Sequence, residues 1–275
     1  MYVMHPRMHL ARKLLDDGEI GPVTGFWSSF GFAFPFTPGH RLYNRDRAGG
    51  GILDIGIYPL TAARFLLGEP ASLTGEARLA VTKVDAEARA QLDYGGFSAD
   101  LHCAVDTEIP WQISVTGSKG TMTIDLPWHS GPDNQAVIIT LEDGTQRIYE
   151  SDETRPLYAV EADHVAECML RGEGASEFVS PDFSINTAYW LDRWREAGGV
   201  TYAADVLDIN GFDARPPQAG RYGAMPVLQL NGLDKPVSRL VLGTDNQIDA
   251  ATMAAMADAF FEQGGTCFDT AHIYS

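Results

Sequence analysis

Between Ala71 and Tyr149 the chain alternates apolar and polar residues in short segments separated by glycine, aspartate or proline. Such alternation is typical of strands that bury one face. The segments predicted as strands are Leu73–Val81, Ala86–Tyr94, Phe97–Val105, Trp111–Thr116, Gly120–Asp125, Val137–Leu141 and Thr145–Tyr149. Gly117–Gly120 and Asp143-Gly144 carry the glycines of hairpin turns. Serial hairpins predict an α+β fold, an open and mainly antiparallel sheet with helices on one face.

Further elements flank this region. Pro6–Asp17 is predicted as an amphipathic helix, with Met8, Ala11, Leu14 and Leu15 at helical spacing and Gly18 as its stop. Val23–Phe36 is predicted as a half-buried strand, because Phe, Trp and Ser roughly alternate there. Two more helices are predicted at Leu157–Arg171 and Pro181–Ala197. The second carries Tyr189, Trp190, Leu191 and Trp194, which we expect in core or interface packing.

The stretch Ala48–Glu69 contains three consecutive glycines followed by a predicted helix. Its apolar residues at helical spacing are Ile52, Ile55, Leu60, Ala63 and Leu67. Asp54 and Tyr58 interrupt that face four residues apart, so a helix would project both side chains into the same space. A carboxylate in a first helical turn is also favoured for structural reasons alone, and a tyrosine one turn later is often half-buried. From spacing alone the structural interpretation is the more common one.

Three arginines, Arg41, Arg45 and Arg47, lie in the predicted loop Pro38–Arg47. They could contact a cofactor phosphate or an anionic substrate, or they could simply be solvated. Without coordinates the solvated state is the more frequent outcome for loop charges.

The net charge is −17, from 37 acidic and 20 basic residues, and the chain has no basic cluster. Such a surface repels phosphate groups, so nucleic acid and anionic membranes are not expected partners. Cys103, Cys168 and Cys267 are far apart and lack metal-ligand spacing, so no metal site is expected. So few cysteines suit a reducing cytoplasm, where we expect the protein to reside.

The periodicity disappears over Thr201–Met225, which gathers Gly, Pro, Arg and Asp and is predicted as a linker. Beyond it, Ser238–Gly243 and Thr266–Asp269 are predicted strands with a helix, Asp249–Gln263, between them. Strand, helix and strand of this length form one βαβ unit of a parallel fold. We therefore expect a domain at 1–205, a linker at 206–227 and a second unit at 228–275.

The run GGGILDIGIYPLTAARFLLGEP, starting at Gly49, resembles the signature that opens the C-terminal domain of the Gfo/Idh/MocA oxidoreductases. The similarity is greatest to the branch that includes glucose–fructose oxidoreductase and dimeric dihydrodiol dehydrogenase, where a Tyr follows the Asp by four residues. The resemblance implies that Tyr58 passes the proton at the substrate oxygen and that Asp54 orients the site. It also implies that the open sheet covers the substrate and forms a homo-oligomer. The helix before the G-E-I-G turn fits this family too, although Val3 stands where many relatives carry Arg.

The run VSRLVLGT followed by FFEQGGTCFDTAHIYS resembles the opening of an aldo/keto reductase barrel. The resemblance implies catalytic roles for Asp269 and Tyr274, and it places Gly243 and Thr244 in the loop that approaches the nicotinamide. Only the first βαβ unit of a (β/α)8 barrel would be present.

Both resemblances imply hydride transfer between NAD or NADP and a sugar, polyol or related carbonyl or alcohol compound. A tyrosine relays protons near neutrality when a cation lowers its pKa; the lysines that do so in the two families fall outside the sequence. No GxGxxG motif following a strand is present either. We therefore expect a fragment of two fused oxidoreductases that is inactive by itself. The alternative is a non-catalytic binding or oligomerisation module derived from such an enzyme.

An incomplete barrel would leave parallel strands with open edges. We therefore predict that limited proteolysis cuts the chain after about residue 205 and leaves a stable core. Mass spectrometry of the fragments tests this, and uniform resistance along the chain would contradict it.

Overall fold

The computed structural model describes residues 1–129, 134–173, 175–202, 205, 225–244 and 250–269. The α-helices are α1 (Pro6–Asp16), α2 (Ile57–Leu67), α3 (Leu157–Arg171), α4 (Pro181–Ala197) and α5 (Ala250–Glu262). A π-helix at Ile52–Gly56 leads directly into α2, and short 3₁₀ turns cover Tyr2–Met4, Arg41–Tyr43 and Arg45–Arg47. The strands are β1 (Val23–Ala33), β2 (Ser72–Leu79), β3 (Asp85–Asp93), β4 (Ser98–Ala104), β5 (Asp106–Gly117), β6 (Gly120–Asp125), β7 (Ala136–Leu141), β8 (Gln146–Glu150), β9 (Val227–Leu228), β10 (Val237–Ser238), β11 (Val241–Gly243) and β12 (Cys267–Asp269).

Strands β1 to β8 form one sheet in the order β2-β3-β4-β1-β5-β6-β7-β8. All of its pairings are antiparallel except that between β1 and β4, which is parallel. The mainly antiparallel sheet expected from the serial hairpins is therefore confirmed. The first strand of the chain lies in the middle of the sheet, between two groups of sequential hairpins.

One face of the sheet is buried and the other is polar. Along β3, Ala86, Ala88 and Leu92 are buried, whereas Arg89 and Gln91 between them are exposed. Helices α1, α2 and α4 pack on the sheet, and the core lies between the two layers. Its largest fully buried side chains include Trp128, Trp194, Tyr43, Met8, Ile20, Ile52, Leu60, Leu92, Leu101 and Ile113. Tyr189 of α4, by contrast, is exposed.

Among β1 to β8, the largest differences from the predicted strand ends are at the end of β1 and the start of β5, and a proline lies near each. Strand β1 ends at Ala33 and not at Phe36, because Pro35 has no amide hydrogen for the ladder. Strand β5 begins at Asp106, earlier than the predicted Trp111, and continues through Pro110. A register shift in the β1–β5 pairing accommodates this proline.

The C-terminal unit also departs from prediction. The predicted strand Ser238–Gly243 is divided between β10 and β11, because the Ser238 hydroxyl donates to the Leu240 carbonyl in a tight turn at 2.6 Å. Strands β11 and β12 are parallel, with α5 between them in sequence, as expected of one βαβ unit. Of the predicted linker, residues 206–224 lie outside the described residues, and Val227 belongs to β9.

The helical segment Arg45–Leu67 is long and apolar enough to cross a membrane by length and composition. Of the most apolar 18-residue window in this segment, 67% is buried within the protein. A core helix of a globular domain meets the same criteria, and this burial explains the apolar character of α2.

Helix α1 begins at a buried histidine. His5 has the extended backbone of an N-cap residue, and its Nδ1 accepts a hydrogen bond from the Arg7 amide at 3.2 Å. Burial, followed by the charge of Arg7, lowers the pKa of His5 to about 4. An accepting Nδ1 requires the neutral ring, because the imidazolium donates from both nitrogens.

Protonation of His5 therefore opposes folding. Its pKa in the folded chain is lower than in the unfolded chain, so the stability it contributes is present above about pH 6.5 and is lost as the pH falls toward 4. We predict that His5→Asn, which retains a cap acceptor without titrating, flattens the dependence of unfolding free energy on pH in this range. Denaturant titrations at several pH values test this; parallel curves for the two proteins would contradict it.

Candidate active site

A cleft of about 360 Å³ opens between the N-terminal segment, the π-helix with α2, and the start of α4. The residues that line it are Met1, Tyr2, Val3, Asp54, Ile57, Tyr58, Thr61, Val179, Phe183, Ser184 and Thr187. Asp54 and Tyr58, the pair predicted to share one face, therefore lie in the same cleft. Asp54 is the one formally charged side chain in this lining set.

The local helix type differs from the prediction. Ile52–Gly56, which includes Asp54, is a π-helix, and α-helical geometry begins only at Ile57. A π-turn is wider than an α-turn and is frequently found at functional sites. The apolar face is nevertheless as predicted, since Ile52, Ile55, Leu60 and Ala63 are buried and Leu67 is half-buried.

Asp54 is paired with Arg41 by an ion pair of 2.5 Å between Oδ1 and Nη1. Its side chain is 15% exposed, and that of Arg41 is 44% exposed. Arg45 donates to the Thr201 carbonyl at 2.8 Å. Arg41 and Arg45, which lie in short 3₁₀ turns within the predicted loop, therefore each have a protein partner, while Arg41 also remains partly in contact with solvent.

Aromatic rings hold Tyr58 in place. Tyr2 stacks on it at 5.8 Å between centroids, and Phe30 and Trp128 meet it edge-on at 5.1 and 5.5 Å. The Tyr2 hydroxyl donates to the Tyr58 carbonyl at 2.9 Å and lies 2.8 Å from the hydroxyl of Thr61. Edge-on and stacked rings contribute about 0.5–1.5 kcal/mol each beyond the area they bury, so the phenol is rigidly supported.

The electrostatics of this site favour a neutral phenol. Burial is the main cause that raises the pKa of Tyr58, and electrostatic interactions with Tyr158, Asp54 and Glu161 add to it. A phenol with a raised pKa retains its proton near neutrality. Tyr58 can therefore donate a proton to a bound oxygen atom.

A buried arginine attaches α4 to α2 and so builds the opposite wall of the cleft. The Arg64 guanidinium pairs with Glu69 at 2.5 Å, donates to the Phe183 carbonyl at 3.1 Å, and hydrogen-bonds the Thr187 hydroxyl. Trp190, which is also on α4, donates a hydrogen bond to the Glu69 carboxylate at 2.9 Å. Because Phe183 and Thr187 line the cleft, this network sets its width.

The site residues predicted from the second resemblance, Gly243, Thr244, Asp269 and Tyr274, belong to the C-terminal unit. Gly243 and Asp269 are register partners in β11 and β12, and the Thr244 amide and hydroxyl both donate to the Asp269 carbonyl, at 3.0 and 2.9 Å. Both donors of Thr244 are therefore engaged within the strand pair. Tyr274 lies outside the described residues, and none of the residues that the structure does describe in this unit lines the cleft.

Sequence reasoning missed several residues of the site. Tyr2 and Thr61 form its floor, and Phe183 belongs to its far wall. Tyr2 precedes the first regular helix in an irregular segment, and Phe183 is brought in by the packing of α4. No local pattern marks either one, although the apolar residues of α4 already indicated a packed face.

Comparisons with known proteins show similarity in sequence and in fold. Residues 8–123 match the sequence profile of the GFO/IDH/MocA C-terminal domain. Among curated proteins, the chain is 29% identical over 206 residues to mouse trans-1,2-dihydrobenzene-1,2-diol dehydrogenase, covering 73% of this chain and 61% of that protein. The chain thus spans about three-fifths of the length of this relative.

Two solved structures show the same fold. Aldose–aldose oxidoreductase from Caulobacter crescentus, complexed with glycerol, is 28% identical with a TM-score of 0.61, covering 70% of this chain and 60% of that one. A 3-ketoreductase from Actinomadura kijaniata, in complex with NADP and TDP-benzene, is 25% identical with a TM-score of 0.63, covering 72% and 60%. The chain is therefore similar in sequence and fold to oxidoreductases over about 70% of its length, and residues 8–123, which include Asp54 and Tyr58, match the GFO/IDH/MocA C-terminal domain.

Proposed function

We propose that this chain is a member of the GFO/IDH/MocA family and supplies the substrate half of an NAD(P)-dependent oxidoreductase. Its substrate would be a sugar, a polyol or a related carbonyl or alcohol compound. The observation that carries the proposal is the presence of Asp54 and Tyr58 in one cleft, within the sequence that matches the family profile. The names of the relatives, a dihydrodiol dehydrogenase and an aldose–aldose oxidoreductase, support this reaction class.

In this proposal Tyr58 is the proton donor to the substrate oxygen when a carbonyl is reduced. Its raised pKa keeps the proton on the phenol until an oxygen that gains negative charge accepts it. The Asp54–Arg41 pair lies beside it and orients the hydroxyl groups of the substrate, because a carboxylate accepts and a guanidinium donates hydrogen bonds. The apolar side chains of Val3, Ile57 and Val179 exclude water from the same volume.

The described residues do not provide a cradle for a dinucleotide. Phosphates are usually held by backbone amides at a glycine-rich turn before a helix. The turn of this kind beside the cleft, Gly49–Gly51, is filled by the carboxylate of Asp85, to which the Ile52 amide donates at 2.6 Å. We therefore propose that NAD(P) is held by residues other than those described.

Tyr58→Phe tests the proton-transfer role. In the protein expressed from its complete reading frame we expect NAD(P)H-dependent reduction of aldoses or ketones to fall by about a hundredfold or more, with KM little changed. Tyr189→Phe, an exposed tyrosine of α4 that does not line the cleft, is the matched control. Equal activity of Tyr58→Phe and the wild type would exclude the proton-donor role, and an absence of turnover in the wild type would favour the binding-module alternative.

The electrostatic interaction inside the cleft can be measured directly. Because the charge of Asp54 raises the pKa of Tyr58, we predict that Asp54→Asn lowers it, by less than burial raises it. Ultraviolet titration of the phenol, taken as the difference from Tyr58→Phe, gives the value. A pKa that stays the same or rises in Asp54→Asn would contradict the prediction.

A further inference from the structure

The Gly49–Gly51 turn encloses a buried carboxylate. Asp85, the first residue of β3, is fully buried, and its Oδ2 accepts a hydrogen bond from the Ile52 amide at 2.6 Å. The backbone amides of Gly51 and of Asp85 itself also favour the ionised carboxylate. Consecutive backbone amides at a turn of this kind form an anion-binding concavity.

Gly50 is required by the closeness of this approach. A Cβ added to Gly50, whose φ is +116°, would lie 2.1 Å from the Asp85 Oδ1, and one added to Gly51 would lie 3.4 Å from its Oδ2. Gly50 therefore has both a steric and a conformational reason to be glycine. Of the three glycines that open the helix, Gly50 makes the close approach to the carboxyl group of Asp85.

The Asp85 carboxylate accepts its hydrogen bond from the first residue of the π-helix. Ile52 begins the π-turn, Asp54 follows within it, and Tyr58 follows in the first turn of α2. Resting on the function proposed above, we propose that Asp85 is a positioning residue of the active site, whose carboxylate fixes the Gly49–Ile52 backbone and thereby the placement of Asp54 and Tyr58. Asp85 does not line the cleft, so it acts through the helix and not by contact with substrate.

The groups around Asp85 leave its charge largely uncompensated. Cys103 of β4 and Tyr202 beyond α4 both have a pKa raised by burial and by the charge of Asp85, so they are neutral. Arg195 of α4 acts on Asp85 at longer range and is itself paired with Asp192 and Asp205. Burial raises the pKa of Asp85 to about 7.

The sign of the pH effect follows from that shift. A carboxyl group whose pKa is higher in the folded chain than in the unfolded chain adds stability at low pH, and this contribution is lost as the pH rises toward 7. Asp85→Asn keeps the volume and an oxygen that accepts from Ile52 but never carries charge. We therefore expect the wild type to lose stability relative to Asp85→Asn between about pH 4 and pH 7, and the opposite trend would contradict a buried ionising carboxyl.

Positioning is tested by observing Tyr58 without relying on turnover. The chain is labelled with 3-fluorotyrosine, and the Tyr58 fluorine resonance is assigned by its absence in Tyr58→Phe. In Asp85→Ala we expect this resonance to shift or broaden, and hydrogen exchange at the Ile52 amide to accelerate by about tenfold or more. Asp85→Asn is expected to retain both signals near their wild-type state.

Two controls separate positioning from general destabilisation. Asp93→Asn, at the exposed end of β3, should leave the Tyr58 resonance and the Ile52 exchange unchanged. Formate at about 100 mM should restore both signals in Asp85→Ala, because it can occupy the vacated amide turn. Should Asp85→Ala fail to fold, Gly50→Ala provides the second variant, with Gly39→Ala as its control because a Cβ there meets no atom within 4 Å.

The outcomes are distinguishable. A folded Asp85→Ala chain with wild-type Ile52 exchange and an unmoved Tyr58 resonance would overturn the proposal, and so would perturbed signals that formate leaves unrestored. In Gly50→Ala, an unmoved Tyr58 resonance would also overturn it. If Tyr58 follows Asp85 as expected but the protein from the complete reading frame gives no turnover, the proposed function fails and the structural coupling stands.

Discussion

The structure depends on the close approach of the Gly49–Gly51 backbone to the sheet. A Cβ on Gly49 would lie 2.3 Å from the Arg41 carbonyl, and one on Gly51 would lie 3.4 Å from both the Asp85 carboxylate and the Cys103 sulfur. This approach brings the start of α2 onto β3 and β4 and simultaneously holds the Arg41 segment. The ion pair of Arg41 with Asp54 therefore follows from the same constraint that sets the helix.

The surroundings of the cleft combine a rigid apolar support with few charges. Tyr2, Phe30 and Trp128 fix the Tyr58 ring, while the Arg64 network holds α4 at the far side. Burying an arginine is costly unless its hydrogen bonds are made, and Arg64 makes them with one carboxylate, one carbonyl and one hydroxyl. The two walls of the cleft are thus connected through groups that do not themselves face a substrate.

Much of the fold could be predicted from the sequence, because it depends on local signals. Alternation and turn residues gave β2 to β8, and the four-residue spacing correctly placed Asp54 and Tyr58 in one cleft. The long-range hydrogen bonds that support the helix carrying Asp54 and Tyr58 could not be predicted in the same way. Asp85 is 33 residues from Ile52, and Thr187 is 123 residues from Arg64, so both contacts arise only when separate elements pack.

The π-turn was missed for a related reason. The apolar residues stand at α-helical spacing, so they predicted an α-turn, and no sequence signal marked the wider π-turn that packs against β3 and β4. Likewise, the loop arginines carried no sequence sign of their partners. The C-terminal unit was predicted as strand, helix and strand, and it has these elements, but none of its residues within 228–244 and 250–269 lines the cleft.

The central position of β1 has a consequence for how the chain assembles. Strand β1 pairs with β4 on one side and with β5 on the other. It therefore connects the group β2 to β4 with the group β5 to β8 in the sheet, although it precedes both groups in the sequence. Closing the parallel β1–β4 contact requires a long loop, which slows folding relative to hairpin formation. Each hairpin group can form early by itself, and the sheet becomes continuous only when both dock onto β1, so the α2 segment that spans this loop is enclosed in the same late step.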